Sequence, residues 1–320
     1  MSYFSQLFNL MVEVMLPLTL LVAAGALWSR FFPDTQVEIA RTLLNRLAMY
    51  LFYPSILYAV ASSTPLSADL LSVPLLVGIG SLMAGLLLYV ALYRLPLWPH
   101  LTDQVRAAIM LGGMFGNTFN IGVPVLIFFY GRDATRYAVF NDMLMTMPLV
   151  WSLGVWISTR LGSHATVESY PSVWRIMVSM PPIWAFVLGI GTQQLGLTYQ
   201  PLVNATYFIG QATIPVTLFV LGMTIPWGNL VPRSEILTAA MIKLVAAPII
   251  VWCAARALFP AMGEAQYAAV AEGATPPMLT ALLLADRFRL DSASAALLIG
   301  WSTILFWVTL PIIMALGLVR

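Results

Sequence analysis

The chain has 320 residues, of which 60% are hydrophobic and only 9% are charged, and its formal net charge is +2. Soluble domains carry about 25% charged residues, so this composition excludes a soluble globular protein. The apolar runs are too long and too continuous for a transmembrane β-barrel, so the sequence predicts an all-α polytopic membrane protein.

Ten transmembrane spans are predicted along the chain, and the short loops between them leave no room for a soluble domain. No cleavable signal peptide is evident at the N-terminus. Cys253 is the single cysteine, which excludes an internal disulfide and a cysteine metal cluster. The predicted spans are Leu7–Trp28, Val37–Ala61, Leu70–Leu92, Val105–Tyr130, Ala134–Thr159, Ser172–Gln193, Pro201–Ile225, Ile236–Leu258, Tyr267–Ala285 and Ser292–Leu318.

The basic residues predict the orientation of these spans, because cytoplasmic loops are enriched in Lys and Arg. If the N-terminus is outside, eleven basic residues fall inside and four outside. The loops after spans two and six contain no Lys or Arg. We therefore expect both termini outside, in the inner membrane of the cell. The inside group is Arg30, Arg41, Arg46, Arg94, Arg106, Arg160, Arg175, Arg233, Lys243, Arg287 and Arg289.

The fourth span contains a stretch that an unbroken helix would not use. From Gly112 to Pro124 it reads Gly-Gly-Met-Phe-Gly-Asn-Thr-Phe-Asn-Ile-Gly-Val-Pro, inside an uncharged run between Arg106 and Gly131. Glycine adds backbone freedom, and proline removes a donor and clashes with the preceding turn. Non-helical backbone survives at membrane depth only where it is buried in protein or lines a wet cavity. The stretch therefore predicts a broken helix with a substrate or ion site, while a glycine-rich helix packed closely on a neighbour is the alternative.

A second break is predicted in span nine, where Glu272–Pro277 reads Glu-Gly-Ala-Thr-Pro-Pro. Thr275 follows Asn117 by 158 residues, and three more pairs recur at separations of 161, 162 and 163 residues. Five is an odd number of membrane crossings, so two successive five-span units must have opposite orientations in the membrane. We therefore predict two inverted five-helix repeats, residues 1–165 and 166–320, with spans four and nine broken and crossing near the bilayer centre. The three pairs are Pro54 with Pro215, Arg94 with Arg256, and Pro148 with Pro311.

Polar side chains at the two breaks are candidate ligands. The N–H groups freed at the start of a half-helix suit an anion, and the carbonyls freed at the end of one suit a cation. The alternative role of these side chains is to satisfy the freed backbone groups. Ser55 and Thr213, beside prolines in spans two and seven, could face the substrate from the opposite wall. The predicted substrate-binding residues are Asn117, Thr118, Asn120, Gly122, Pro124, Thr275, Pro276, Pro277, Ser55 and Thr213.

Ionisable residues at membrane depth are costly and are functional hypotheses by default. Glu272, directly before the second break, is predicted to bind sodium or a proton, with Asp142 and its neighbour Asn141 as further coupling residues. A salt bridge from Asp142 to Lys243 that holds spans five and eight together is an equal alternative for that aspartate. Lys243 could instead replace a metal cation as a fixed charge, which would give an uncoupled carrier.

Motifs of enzymes and ATP-driven pumps are absent from the sequence. It has no serine–histidine pair at membrane depth, no H-E-x-x-H and no Walker motif. We therefore expect neither an enzyme nor a cofactor, apart from sodium or a proton as the coupling ion.

Three segments resemble signatures of the auxin efflux carrier family. Gly116–Pro124 contains the pattern Asn-Thr-x-x-x-Gly-x-Pro, Ala212–Met223 ends in Leu-Gly-Met, and Asp291–Pro311 ends in a late Leu-Pro. The likeness runs over nearly the whole chain. The short link between spans five and six is similar to that of bacterial members rather than plant ones.

The resemblance implies the ten-helix fold shared with the bile acid/sodium symporter group. Spans one, two, six and seven would form a scaffold domain, and spans three to five and eight to ten a core transport domain. Asn117 matches the crossover asparagine that contacts substrate, and Glu272 looks like the glutamate that ligates sodium before the ninth-helix break. The Thr275-Pro276-Pro277 sequence departs from the polar amides of the sodium symporters, which does not favour a complete two-sodium site.

These observations together predict a secondary active transporter of small organic carboxylates, such as malonate, malate or auxin-like acids, working by alternating access. Coupling to protons or sodium, or transport driven by the membrane potential, is expected. An uncoupled channel and a non-transporting ligand sensor with the same fold are the alternatives. The expected partners are a small organic anion and the lipid bilayer, with no nucleic acid, and a homodimer stays open.

Overall fold

A computed structural model describes residues 3–95, 97–162, 175 and 178–319 of the chain. Helices dominate these residues, and the strand-like pairing among them is an isolated antiparallel bridge between Gly116 and Pro277. Several helices include a π-helical turn. Joined end to end, the described helical segments are α1 (Ser5–Phe31), α2 (Asp34–Ser63), α3 (Ala68–Arg94), α4 (Asp103–Met114), α5 (Thr118–Tyr130), α6 (Arg132–Arg160), α7 (Pro181–Gln194), α8 (Gln200–Asn229), α9 (Ser234–Leu258), α10 (Glu264–Gly273), α11 (Leu279–Arg287) and α12 (Ser292–Ala315).

Seven helices of the described chain are long and apolar enough to cross a membrane, namely α1, α2, α3, α6, α8, α9 and α12. The protein is therefore an all-helical, multi-pass membrane protein. Predicted spans four and nine each consist of two shorter helices, α4 with α5 and α10 with α11. The first part of predicted span six and the boundary between residues 165 and 166 lie outside the described residues. The count of ten spans and the inverted repeat stay predictions.

Large apolar side chains cover the outer faces of several helices. Phe31 on α1, Leu188 on α7 and Phe208 on α8 are all exposed. A water-soluble monomer rarely exposes apolar patches on this scale, whereas lipid tails solvate them. The exposed surface is therefore the one expected for a protein in a bilayer.

Small residues allow the helices to approach one another closely. α7 and α8 pack on α2, α8 also packs on α1, and α3 packs on α4, α9 and α10. A Cβ added at Gly25 of α1 would lie 2.0 Å from the carbonyl oxygen of Phe219, and one at Gly222 of α8 would lie 2.0 Å from that of Val22. α1 and α8 thus cross in backbone contact, as small residues permit in membranes. The division into scaffold and core domains stays a prediction.

The breaks in the two interrupted spans have different local causes. α10 ends at Gly273, and beyond it Pro276 and Pro277 have no N–H to continue the helical hydrogen bonds. A residue that precedes proline is also disfavoured in the helical region, which applies to Thr275 and Pro276. α4 ends at Met114, and a glycine-containing segment that starts at Phe115 in extended conformation leads to α5.

Candidate functional site

The two breaks meet and pair through their backbones, at a point that we call the crossover. Gly116 and Pro277 form the antiparallel bridge, and the N–H of Asn117 donates to the carbonyl oxygen of Pro276 at 2.7 Å. Asn117 itself has φ −83° and ψ 62°, outside both helix and strand. The pairing satisfies backbone groups that neither broken helix can satisfy alone. It also fixes the start of α5 against the segment that leads into α11.

The Asn117 side chain caps α5 and retains a donor for another group. Its Oδ1 accepts hydrogen bonds from the backbone N–H of Asn120 at 3.3 Å and from Asn120 Nδ2 at 3.0 Å. Because a backbone N–H can only donate, this contact fixes which end of the amide is oxygen. In the described structure Asn117 Nδ2 donates no hydrogen bond to protein. The amide donor therefore lies at the N-terminal, positive end of α5.

That region borders a cavity of about 130 Å³ between the crossover and helices α2, α6, α8 and α11. Polar groups from both breaks and from the facing helices line it, and methionine, leucine and phenylalanine side chains complete its wall. Its polar and charged lining residues are Asn45, Tyr53, Asn117, Thr118, Asn120, Asp142, Thr213, Thr217 and Thr280.

One carboxylate, that of Asp142, faces this cavity and is held from two sides. Asp142 is buried on α6, where Oδ1 accepts a hydrogen bond from the Thr118 hydroxyl at 3.3 Å. Its Oδ2 accepts a hydrogen bond from the Tyr53 hydroxyl of α2. The Tyr53 ring also packs edge-on against Phe119, with 4.8 Å between ring centroids. Asp142 therefore joins three elements around the cavity: α2, α5 and α6.

Behind the cavity, Glu272 is completely buried near the end of α10. Its Oε2 accepts a hydrogen bond from Asn141 Nδ2 at 3.3 Å, while Glu272 Oε1 and Asn141 Oδ1 have no hydrogen-bond partner among the described residues. A Cβ added at Gly122 would lie 2.5 Å from Glu272 Oε1, so any larger residue there would have to displace this carboxylate. The Glu272 carboxylate could accept a proton, and both unsatisfied oxygens could contact a hard cation.

Lys243 does not pair with Asp142, so the alternative of a salt bridge between spans five and eight is not the arrangement in this structure. The Lys243 ammonium donates to the carbonyl oxygen of Gly273 at 2.8 Å, and Asp142 is occupied by Tyr53 and Thr118. The reason is geometric: Lys243 on α9 is directed to the end of α10, next to Gly116. Lys243 forms no ion pair with Glu272 among the described residues.

The remaining predicted site residues occupy several environments. Asn117, Thr118, Asn120 and Thr213 line the cavity together with Asp142. Thr275, Pro276 and Pro277 are buried at the crossover but are not part of the cavity wall, and the Thr275 hydroxyl donates to the Glu272 carbonyl at 2.8 Å.

Three further predicted residues lie away from the cavity wall formed by the described residues. Gly122 and Pro124 lie at the π-helical turn of α5 and just after it, beyond the cap. Ser55 donates to the Leu51 carbonyl at 2.6 Å within α2 and does not line the cavity.

Four polar cavity residues were not predicted from the sequence: Asn45, Tyr53, Thr217 and Thr280. Thr217 follows Thr213 by one helical turn, so a face-based search of span seven would have found it. It donates to Asn120 Oδ1 at 2.6 Å. Tyr53 precedes Pro54, but a tyrosine in an apolar span is ordinarily packing or interfacial, and no local signal distinguishes it.

Comparison with known proteins places the chain among transporters. The model of a family described as "Membrane transport protein" matches residues 10–314. An uncharacterized transporter of Methanocaldococcus jannaschii is 23% identical over 299 residues, which cover 88% of this chain and 90% of the relative. An uncharacterized transporter of Methanothermobacter thermautotrophicus is 26% identical over 276 residues, which cover 84% of this chain and 86% of the relative.

Proposed function

Since the chain belongs to the membrane transport protein family, the auxin efflux carrier family that its crossover motif resembles, we propose that it is a secondary carrier of small organic carboxylates. Members of this family are membrane transporters rather than enzymes. The single observation that carries the substrate class is the Asn117 amide. Its oxygen is used by the α5 cap, while its Nδ2 donates to no acceptor among the described residues and belongs to a side chain that lines the cavity.

A carboxylate fits the other groups around this donor. The start of α5 supplies a positive dipole end and the Asn117 amide nitrogen supplies a donor, whereas the Thr118 and Thr217 hydroxyls already donate to Asp142 and Asn120. Hydrogen bonds to a charged acceptor are about twice as strong as neutral ones. The small cavity favours short carboxylates such as malonate and malate, and an auxin-like acid would need additional space toward α11.

Coupling is assigned to the buried carboxyl groups. A substrate carboxylate in the cavity would lie near Asp142, and two like charges in a low-dielectric site favour protonation of one of them. We propose that Asp142 and Glu272 bind the coupling proton, or sodium at Glu272, with Asn141 as a neighbour of both. Anion uptake into a negative-inside cell is opposed by about 2.3 kcal/mol per charge per 100 mV, so import requires a coupled cation and export does not.

Alternating access would move the core domain of spans three to five and eight to ten against the scaffold of spans one, two, six and seven. Two hydrogen bonds that cross this division support the idea: Tyr53 to Asp142, and Thr217 to Asn120. Each connects the binding cavity to a scaffold helix. Breaking both would accompany the movement. In this proposal the ten spans lie in the inner membrane with both termini outside.

Uptake into proteoliposomes tests the proposal. Purified protein is supplied with labelled malonate, malate or indole acetate without a gradient, with a sodium gradient and with a proton gradient, and protein-free liposomes are the control. We expect saturable uptake and counterflow of at least one carboxylate. Non-saturable flux without counterflow would indicate a channel, and binding without flux a sensor. No carboxylate transport under any gradient would contradict the proposal.

A further inference from the structure

We propose that Lys243 is a tethered cation that takes the place of a bound metal ion at the end of α10, so that carboxylate binding does not require sodium. The inference rests on the proposed function and narrows it, because of the two coupling ions proposed for Glu272 it retains the proton and excludes sodium. Its central groups, the Lys243 ammonium and the Gly273 carbonyl, do not line the cavity.

Lysine is used at one position of this chain. All other basic residues except the two histidines are arginine, and the lone lysine is 3% exposed within α9. A lysine ammonium is a compact point charge, whereas the guanidinium of arginine is a wide planar group. A charge this deeply buried is retained only when it is paired or hydrogen-bonded. The environment of Lys243 therefore needs a compact cation in particular.

The ammonium lies where a broken helix offers a ligand to a cation. It donates at 2.8 Å to the carbonyl oxygen of Gly273, the last residue of α10. The C-terminal end of a helix carries a partial negative charge, and half-helix ends of this kind coordinate sodium in transporters. The Glu272 carboxylate belongs to the preceding residue, at the same end of α10. A carbonyl and a carboxylate are ordinary oxygen ligands of a hard cation.

The crossover is shaped around this side chain. A Cβ added at Gly116 would lie 2.9 Å from Lys243 Nζ, 3.1 Å from Cε and 2.5 Å from the Thr275 hydroxyl oxygen. Gly116 is the residue that pairs with Pro277 at the centre of the crossover. The positive charge therefore lies next to Gly116, in the segment that precedes Asn117. It offsets the Glu272 charge and favours an anion in front of the crossover.

Thermal unfolding of the purified protein tests this without any substrate. Samples are compared in sodium chloride, in choline chloride and in choline chloride with methylammonium, at constant ionic strength. We expect the wild-type unfolding temperature to be the same in all three. In Lys243→Ala, sodium or methylammonium should enter the vacated space. Either ion should raise the unfolding temperature of this variant by about 3 °C, because a ligand that binds only the folded state stabilises that state. Saturable stabilisation of the wild type by sodium would overturn the proposal.

A second variant covers the case in which Lys243→Ala does not fold. Lys243→Gln keeps a donor toward the Gly273 carbonyl and removes the charge, so we expect it to fold and to weaken malonate binding about tenfold or more, which corresponds to about 1.4 kcal/mol. Arg256→Gln, which removes an exposed charge from the same helix, should bind as the wild type does. Wild-type affinity in Lys243→Gln would refute the role of the charge.

The two proposals fail separately in these experiments. If no carboxylate binds but sodium leaves the wild type unchanged and methylammonium stabilises Lys243→Ala, the tethered cation stands and the substrate class is wrong. If carboxylate uptake is saturable and strictly sodium-dependent, the carrier stands and the tethered cation is wrong.

Discussion

At the scale of single residues, Asn117 uses the two ends of one amide for different purposes. The oxygen caps the first turn of α5, and the nitrogen is left for the cavity. A short side chain that satisfies the backbone of a break was one expectation, and contact with substrate was another. The two are compatible, because an amide has both an acceptor and a donor end.

Replacing Asn117 by alanine removes both functions. Losing a helix cap costs about 0.5–2 kcal/mol, and losing a hydrogen bond to a charged group costs about 1.5–3 kcal/mol. We expect carboxylate affinity to fall at least about tenfold, with a smaller fall in thermal stability. Binding is measured by titration of the purified protein. Asn229→Ala, the same change at an exposed residue at the end of α8, should have no effect. Equal affinities of Asn117→Ala and the wild type would exclude this asparagine as a ligand.

Gly122 admits the Glu272 carboxylate into the first turn of α5, and a single added methyl group tests that contact. In Gly122→Ala the Cβ would lie 2.5 Å from Glu272 Oε1, and overpacking of this kind costs about 1–3 kcal/mol. We expect uptake to fall at least about tenfold, with a lower unfolding temperature. Gly191→Ala on α7, where an added Cβ meets nothing within 4 Å, is the control and should be neutral or slightly stabilising. Normal uptake by Gly122→Ala would argue against a close role for Glu272.

At the scale of helices, each interrupted span is broken by its own local sequence, and the two breaks then complete one another. The first relies on Gly116 and on an asparagine cap, and the second on two consecutive prolines. The hydrogen bond from the Asn117 N–H to the Pro276 carbonyl forms because both segments are non-helical where they meet. Neither break would be stable against lipid alone, since each exposes unpaired backbone groups.

Restoring the missing donors of the second break should repair the helix and damage transport. In the double variant Pro276→Ala with Pro277→Ala, α10 and α11 can join, because both N–H groups and helical backbone angles become available. We expect uptake to fall to near background while the protein remains folded. The control is Pro311→Ala, which removes a proline from within the continuous helix α12 and should retain most of the uptake. Full activity of the double variant would show that the break is dispensable.

At the scale of the whole molecule, α6 makes contacts both within the predicted core and across its predicted boundary with the scaffold. Arg136 of α6 is ion-paired with Glu264 of α10 at 3.4 Å, inside the predicted core. Arg132 of the same helix packs over the Tyr207 ring of α8, 5.9 Å from its centroid, across the predicted division. The second contact lies in a cavity of about 350 Å³ where the end of α2 meets the starts of α6 and α8.

Cross-linking across and within the predicted domains should therefore have opposite effects. In a Cys253→Ser background, Arg132→Cys with Tyr207→Cys is bridged by a short bifunctional maleimide, and we expect uptake to stop because core and scaffold can no longer separate. Arg136→Cys with Glu264→Cys joins two core helices, and its cross-linked form should still transport. Uptake is compared before and after cross-linking. Undiminished uptake by the first pair once bridged would contradict a moving core.

The membrane class, the positions of the two breaks and the family all follow from the chain itself. A content of 60% hydrophobic residues indicates that the protein is surrounded by lipid. Glycine, asparagine and proline change the backbone within about one turn of their own positions, so they mark the breaks. Asn117, Thr118, Asn120, Thr213 and Asp142 were found in this way, and all five line the cavity.

The partners of the buried charges were decided only by the tertiary structure. Sequence spacing tells which residues share a face of one helix, but not which neighbouring helix that face meets. The sequence therefore left a salt bridge between Lys243 and Asp142 open as an alternative. In the structure, the packing of α9 on α10 directs Lys243 to the Gly273 carbonyl instead. For the same reason Tyr53, the partner of Asp142 on α2, gave no local signal. A buried charge is stabilised by whatever surrounds it in three dimensions, and that depends on how all the helices pack together.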